Sequence, residues 1–259
     1  MAGPHQLRAF AGRNSAVPVR RGPEGPDTVL PLPSRTYQVA WLDSYGSAQW
    51  KDVRAPAHPA IEATCGAVAH GTPIQTPDGS IAVEDIVPGD TVLTSDGESA
   101  TVRWVGSYVL ARRRGGAPHA PLLFRITADA FGPGRPAADI VVSRHARILL
   151  HHAKVQTRFG TPAAFVPVTA LVDGDSVFPV NPVSPVTVYN VSTDAQAGIL
   201  ATGLAFEAHD ASIFANMDLD IDVRDAFVRL FPAQALPRRA TPPTTPRLSA
   251  AELAQLLGR

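Results

Sequence analysis

Few side chains in this sequence could act as strong nucleophiles or metal ligands. Cys65 is the one cysteine among 259 residues, so an internal disulfide and a zinc site of several thiolates are excluded. Cys65 is either a reactive thiol or a small buried apolar group. His151 and His152 are adjacent, and neighbouring strand residues point to opposite faces, so one metal ion would bind both poorly.

Each of two charged clusters has a functional interpretation and a purely structural one. Asp218, Asp220 and Asp222 resemble the opening of a calcium loop. A calcium loop requires a glycine and a bidentate glutamate at the positions of Val223 and Arg229. Their absence favours a solvent-exposed acidic segment at the start of a helix. The three arginines 112–114 could contact an anion or form an exposed loop.

Other motifs give no further site. The sequence has neither a G-x-S-x-G nucleophile elbow nor a glycine motif that binds phosphate. We therefore expect no cofactor and no resident metal, and no conventional enzyme class is indicated.

Charge and hydropathy limit the partners. Basic and acidic residues balance at 23 each, so nothing electrostatic favours nucleic acid or an anionic membrane. The sequence lacks an apolar run of about 18 residues, and its first residues lack a signal-peptide core. We expect a cytoplasmic protein by default, with export that uses no N-terminal signal left open, and a protein partner of unknown identity.

The elements that would position these residues are predominantly strands. Proline, at 25 residues, disfavours a mostly helical chain. A hairpin is predicted around Gly46, then a helix from Pro59 through Val68 that Gly71 closes. From Thr72 to Leu110 short β-rich runs alternate with turns, and further strands are predicted at 176–180, 186–192 and 198–201.

Helices are predicted mainly at the flanks. A helical turn fits residues 168–171, a helix fits 223–231, and Ser249 with Glu252 forms a capping box on a terminal helix. The expected organisation is a flexible arm at 1–34, a hairpin and short helix at 35–64, a β-domain at 65–210, and a helical tail with a proline-rich linker at 211–259. The predicted fold class is mainly β.

The segment GTPIQTPDGSIAVEDIVPGDTVLTSDG, residues 71–97, resembles the start of a Hint module. This is the self-processing fold shared by hedgehog C-terminal domains and inteins, and the similarity is to its bacterial branch. VVSRHARILL at 141–150 resembles the block that carries the family's S/T-x-x-H, and residues 188–204 resemble its closing strands. The resemblance covers about Cys65 to Asp210 and implies a compact Hint-type β-fold.

The resemblance also implies an activity. In the family, a Cys or Ser attacks the carbonyl just before it and converts the peptide bond into a thioester or ester. The histidine of S/T-x-x-H hydrogen bonds at this amide and protonates the departing nitrogen. Both groups must therefore meet the same peptide bond.

At the matching positions this sequence departs from the pattern. The nucleophile position is Ala67, four residues before Gly71, and the histidine position is Ala146, three after Ser143. Two further family histidines correspond to Asn190 and Gln196. An alanine side chain can neither attack a carbonyl nor move a proton.

Two hypotheses follow. In the first, the protein is a Hint-like module that has lost self-processing and serves in binding or structure. In the second, Cys65, two residues before Ala67, and His145, one before Ala146, have taken over the catalytic roles. The protein would then be an autoprocessing enzyme that acts on its own N-terminal segment, residues 1–64. Ala67 and Ala146 favour the first hypothesis. A helical displacement of two residues turns a side chain by about 200°, and a one-residue displacement in a strand reverses it.

Overall fold

A computed structural model of the protein describes residues 33–111, 121–193, 196–209, 219–232 and 245–258. Several predictions fall elsewhere: the arm up to residue 32, the arginines 112–114, Asp218, and most of the proline-rich linker lie outside the described residues. The division of the chain into domains stays a prediction.

The described residues form fifteen strands and four α-helices. The strands are β1 Ser34–Leu42, β2 Ala48–Pro56, β3 Val68–Ala69, β4 Pro73–Thr76, β5 Gly79–Ala82, β6 Thr91–Leu93, β7 Ser99–Leu110, β8 Leu123–Ile126, β9 Ile140–Ser143, β10 Arg147–His151, β11 Ala163–Pro167, β12 Val177–Val180, β13 Val186–Thr193, β14 Gly198–Ala201 and β15 Leu204–Glu207. The helices are α1 Pro59–Cys65, α2 Ala153–Phe159, α3 Ile221–Leu230 and α4 Ala250–Leu257, with 3₁₀ turns at Val83–Asp85 and Val168–Ala170.

The strands build two antiparallel sheets. The nine-stranded sheet has the order β12-β8-β9-β3-β13-β7-β1-β2, with β6 paired to β7 beside this path. The six-stranded sheet has the order β11-β10-β15-β14-β4-β5. The mainly-β prediction is confirmed, and so are the first hairpin, the 3₁₀ turn and the capping box of α4.

The nine-stranded sheet is buried on both faces at strand β7. Val102 and Val105 join an inter-sheet core, which includes Ile148 and Phe206 of the six-stranded sheet. Trp104, Tyr108 and Leu110 join a second cluster, here called the helix-side core, with residues of α1, α3 and the hairpin: Tyr37, Val39, Val53, Ala55, Ile61, Cys65, Val223, Ala226, Leu230 and Phe231. Alternate residues of a strand face opposite sides, so one strand serves two cores. The register shift between β7 and β13, where Ser192 pairs with Trp104 but Thr193 pairs with Val102, brings Val102 to the same side as Val105.

Trp104 connects the sheet to the tail. Its indole Nε1 donates to the carbonyl of Leu230 at 2.9 Å, and its ring stacks on Phe231 with centroids 4.2 Å apart. The indole also lies across Gly106, where any Cβ would overlap the ring. Packing against Trp104 therefore requires a glycine at position 106, although the backbone of Gly106 is not in the left-handed region.

One local expectation was wrong, and the structure adds two local features that were not predicted. Helix α1 ends at Cys65 and not near Val68, because Gly66 turns extended and the following residues pair with other strands. The run DIVVSRHARILL forms two strands, β9 and β10, joined by a turn. Helix α2 was not predicted; its N-cap is His152, whose Nδ1 accepts from the Lys154 amide at 3.1 Å.

Gly106→Ala should lower the free energy of unfolding by about 1–3 kcal/mol, because the added methyl displaces the Trp104 ring from a filled core. Urea unfolding followed by circular dichroism measures this. Val109→Ala is the control, since Val109 lies on the same strand and is half exposed, and it should change stability by less than about 0.5 kcal/mol. Equal effects of the two substitutions would contradict the packing role of Gly106.

Candidate functional site

The peptide bond between Gly66 and Ala67 lies where helix α1 gives way to a strand. Gly66 has φ −150° and ψ 112°, which ends the helix. The Ala67 amide donates to the Tyr189 carbonyl at 2.7 Å, and the Ala67 carbonyl accepts from the Ser143 amide at 2.7 Å. The backbone of residue 67 is therefore fixed between β13 and β9.

Ser143 holds the carbonyl of this peptide bond. Its Oγ donates to the Gly66 oxygen at 2.6 Å and accepts from the His145 amide at 3.0 Å. The serine is fully buried, so the hydroxyl is fixed and cannot exchange this partner for water. A hydroxyl in this position draws electron density from the carbonyl that a nucleophile at residue 67 would attack.

The two side chains that would use this arrangement are methyl groups. Ala67 is 5% exposed and Ala146 is fully buried, and both belong to the inter-sheet core. The Ala146 amide donates to the Ser143 carbonyl at 3.1 Å, and its oxygen accepts from the Val168 amide at 3.0 Å. These two positions are parts of an apolar core and carry no group that transfers a proton.

Cys65 belongs to the other face of the nine-stranded sheet. The thiol is fully buried in the helix-side core, whereas Ala67 packs in the inter-sheet core. Burial raises the pKa of the Cys65 thiol well above its ordinary value, and the nearby Glu62 carboxylate raises it further. A thiol held neutral in this way is a poor nucleophile.

His145 lies in the turn between β9 and β10. The alternation of side chains along a strand therefore does not determine where the His145 side chain points. Its Nε2 is buried, 3.6 Å from Glu62 Oε2, and makes no hydrogen bond to another described residue. The other Glu62 oxygen is 3.2 Å from Arg35 Nη2. The turn, helix α1 and strand β1 thus meet at a cluster formed by Arg35, Glu62 and His145.

Tyr108 extends this cluster toward the Gly66 backbone. The Arg35 guanidinium carbon lies 4.8 Å from the centre of the Tyr108 ring. A Cβ on Gly66 would come within 2.5 Å of that ring. Burial raises the pKa of Tyr108, and the Glu62 carboxylate adds to the effect. Sequence reasoning missed Arg35, Glu62 and Tyr108, because none stands in a local motif and their contacts span distant parts of the chain.

Asn190 and Gln196, at two family histidine positions, make structural hydrogen bonds. Asn190 Nδ2 donates to the Ala63 carbonyl at 3.3 Å and so holds helix α1. Gln196 binds the backbone of Thr245 on both sides: Nε2 donates to its oxygen at 3.3 Å and Oε1 accepts from its amide at 3.2 Å. One position anchors the residues before the β-domain and the other anchors the tail.

The structure does not bring the other candidate residues that it describes together as a ligand-binding site. Within the described ranges, no three histidine, cysteine, aspartate or glutamate residues come together as a metal site. Asp220 and Asp222 are exposed at the start of α3. No described helix has the length and apolar character needed to cross a membrane.

Comparison with known proteins identifies the class. The family model described as the Hint domain matches residues 67–211, more than half of the chain. The chain therefore belongs to the Hint domain family, and it is a module related to self-processing proteins. The sequence resemblance and the Hint-type fold are confirmed. Among curated proteins, none matches the chain.

Similar solved structures include an intein-like domain and two inteins. A bacterial intein-like domain from Clostridium thermocellum is 18% identical with a TM-score of 0.38, covering 56% of this chain and 99% of that one. The MchDnaB-1 intein is 23% identical with a TM-score of 0.31, covering 55% and 100%. The Msm DnaB1 intein splicing domain, bound with zinc, is 20% identical with a TM-score of 0.33 and the same coverage.

The Cys65 thiol should resist alkylation while the protein is folded, because it is buried and protonated. With iodoacetamide at pH 8.5, the folded chain should react about a hundredfold more slowly than the chain in urea. The matched control combines Val183→Cys with Cys65→Ala, because Val183 is 89% exposed, and this thiol should react equally fast in both states. Rapid alkylation of folded wild-type protein would show that Cys65 is accessible.

Ser143→Ala should destabilise the protein by about 1–3 kcal/mol, because it leaves the buried Gly66 carbonyl without its side-chain donor. The control is Ser143→Thr, which keeps a hydroxyl as the family pattern allows, and it should retain most of the stability. Urea unfolding compares the two. Equal losses would show that packing, and not the hydrogen bond to Gly66, determines this position.

Proposed function

We propose that this protein is a Hint-domain protein that does not process itself and serves as a structural or protein-binding module. One observation carries the proposal. The Gly66 carbonyl is held by the Ser143 hydroxyl at 2.6 Å, while the nucleophile and histidine positions are alanines in the inter-sheet core. The backbone frame of the family site is intact, but its reactive groups are missing.

The residues before this peptide bond support the same proposal. Strand β1 pairs with β7 from Tyr37 to Trp41 and forms a sheet with strands of the Hint domain. Helix α1 contributes Ile61 and Cys65 to the helix-side core. A segment built into the core in this way would not dissociate after a single cut, so the arrangement suits a permanent structural part of the module.

The alternative function is self-processing through Cys65, with His145 as proton donor. The specific observation in its favour is His145, whose buried Nε2 lies within ion-pair distance of Glu62 but forms no hydrogen bond with another described residue. Two observations count against it. The bond that Cys65 would attack, between Thr64 and Cys65, lies inside helix α1, and burial raises the pKa of the thiol.

Intact mass under denaturing conditions tests the proposal. Wild-type protein incubated with dithiothreitol or hydroxylamine should remain a single 27.3 kDa chain, because no thioester forms. Denaturing conditions are necessary, since fragments would stay associated through β1 and β7. Cleavage before Cys65 that Cys65→Ala abolishes would overturn the proposal and establish the alternative.

Restoring the reactive groups tests whether the frame is competent. Ala67→Cys with Ala146→His should produce thiol-dependent cleavage before residue 67, because thiol and proton donor then meet the carbonyl that Ser143 holds. Each single substitution is the control and should give little cleavage, since the two groups act as a unit. A folded double variant that stays intact would contradict the claim that only the reactive groups are missing.

A further inference from the structure

The segment 245–258, here called the C-terminal strap, docks on the edge of the six-stranded sheet. Strand β11 is the outermost strand at this edge. The Phe165 amide donates to the Pro246 carbonyl at 2.9 Å, and the Leu248 amide donates to the Phe165 carbonyl at 2.9 Å. These bonds form a parallel bridge between Phe165 and Arg247. The strap thus pairs with the backbone of Phe165 at this sheet edge, in the manner of a bound peptide in strand addition.

Side chains of the domain bind the backbone of the strap near both ends. At the start, Gln196 makes the two hydrogen bonds with Thr245 described above. Arg147 Nη1 donates to the Leu248 carbonyl at 3.0 Å, and Lys154 Nζ donates to the Leu257 carbonyl at 3.2 Å. The contacts to Thr245 and Leu248 hold the extended part of the strap, and the contact to Leu257 holds the end of α4. All of them reach main-chain atoms, so they do not depend on the side chains of the strap.

A buried carboxylate provides selectivity. The side chain of Glu207 is only 8% exposed, and its Oε1 accepts from Arg247 Nε. Gln196 Nε2 is 3.2 Å from the same oxygen, and Arg147 Nε is 3.9 Å from the other. A buried carboxylate is tolerated only with such partners, so this surface favours a segment with an arginine at the position of Arg247.

An apolar contact completes the surface. Leu248 and Leu253 are each 2% exposed and pack with Val155, Ala164 and Val166 in a small cluster apart from the inter-sheet core. Helix α4 carries Leu253 and starts at a complete capping box. The helix therefore has a local start signal and one fully buried apolar anchor, with Leu256 and Leu257 packed against the same cluster and partly buried.

The surface belongs to the Hint domain and its occupant does not. Every contacting residue named above, from Arg147 to Glu207, lies within the family match at 67–211, and the strap lies wholly beyond it. Gln196 also stands at a position where the family resemblance predicts a histidine. The surface is a feature of the domain that receives a separate segment.

We infer that this surface is a peptide-docking groove for an extended, arginine-bearing segment followed by a short amphipathic helix, and that the strap occupies it as a displaceable ligand in cis. The inference does not depend on the loss of self-processing. A tethered occupant competes at an effective concentration near millimolar, so a free peptide binds measurably only when the strap is loosened.

The test uses the full-length chain and a fluorescein-labelled synthetic peptide of residues 245–259. Leu253→Asp loosens the strap by placing a carboxylate at the fully buried apolar position of α4, and it should raise peptide affinity about tenfold or more over wild type in fluorescence anisotropy. The matched control is Gln255→Asp, because Gln255 is exposed on the same helix, and it should bind like wild type.

A second peptide tests the arginine. The same peptide with Arg247→Ala should bind the Leu253→Asp protein about tenfold more weakly, since Glu207 then lacks its partner. Two results would overturn the inference: a folded Leu253→Asp protein that binds no more peptide than wild type, or equal binding of the two peptides.

Hydrogen exchange on the wild-type chain gives a second test that needs no variant. If the strap detaches reversibly, the amides of Leu248 and Leu253 should exchange about tenfold or more faster than that of Val188 in β13. Added peptide should leave Val188 unchanged. Equal protection of the strap and β13 would show that the strap is an integral part of the core, and the inference would fail.

Discussion

The change from helix to strand at Gly66 is the constraint on which the surroundings of the candidate site depend. Tyr108 and Val188 lie so close to this residue that a Cβ would come within 2.5 Å of each. The close approach lets the Gly66 oxygen meet the Ser143 hydroxyl and lets Ala67 pair with two strands. Because Gly66 has no side chain, the junction of α1 and β3 can pack against Tyr108 and Val188, and β3 can lie between β9 and β13 in the nine-stranded sheet.

The same sheet separates two environments that are adjacent in the sequence. Cys65 belongs to the helix-side core and Ala67 to the inter-sheet core. The Cys65 thiol therefore cannot take the place of a nucleophile at residue 67, although the two positions are only two residues apart. The hairpin strengthens this separation, since Tyr37 and Val39 cover the helix-side core. In this protein the residues before the Hint domain complete its core.

Asn190 and Gln196 connect segments of the chain through hydrogen bonds. Asn190 holds helix α1 through Ala63, and Gln196 holds the strap through Thr245. An amide side chain carries its donor and its acceptor side by side, so it can pair with both the amide and the carbonyl of one residue, as Gln196 does with Thr245. Both positions thus serve as rigid junctions between segments of the chain.

The sequence by itself determined the class, the mainly-β fold, the first hairpin, the capping box of α4 and the absence of reactive groups at Ala67 and Ala146. These features depend on turn chemistry, local periodicity and side-chain type, which neighbouring residues set. Only the tertiary structure decided the end of α1, the turn that carries His145, and the meetings of Arg35 with Glu62 and of Glu207 with Arg247. Such contacts join residues tens of positions apart, and strand register and packing determine them, so no local pattern could have revealed them.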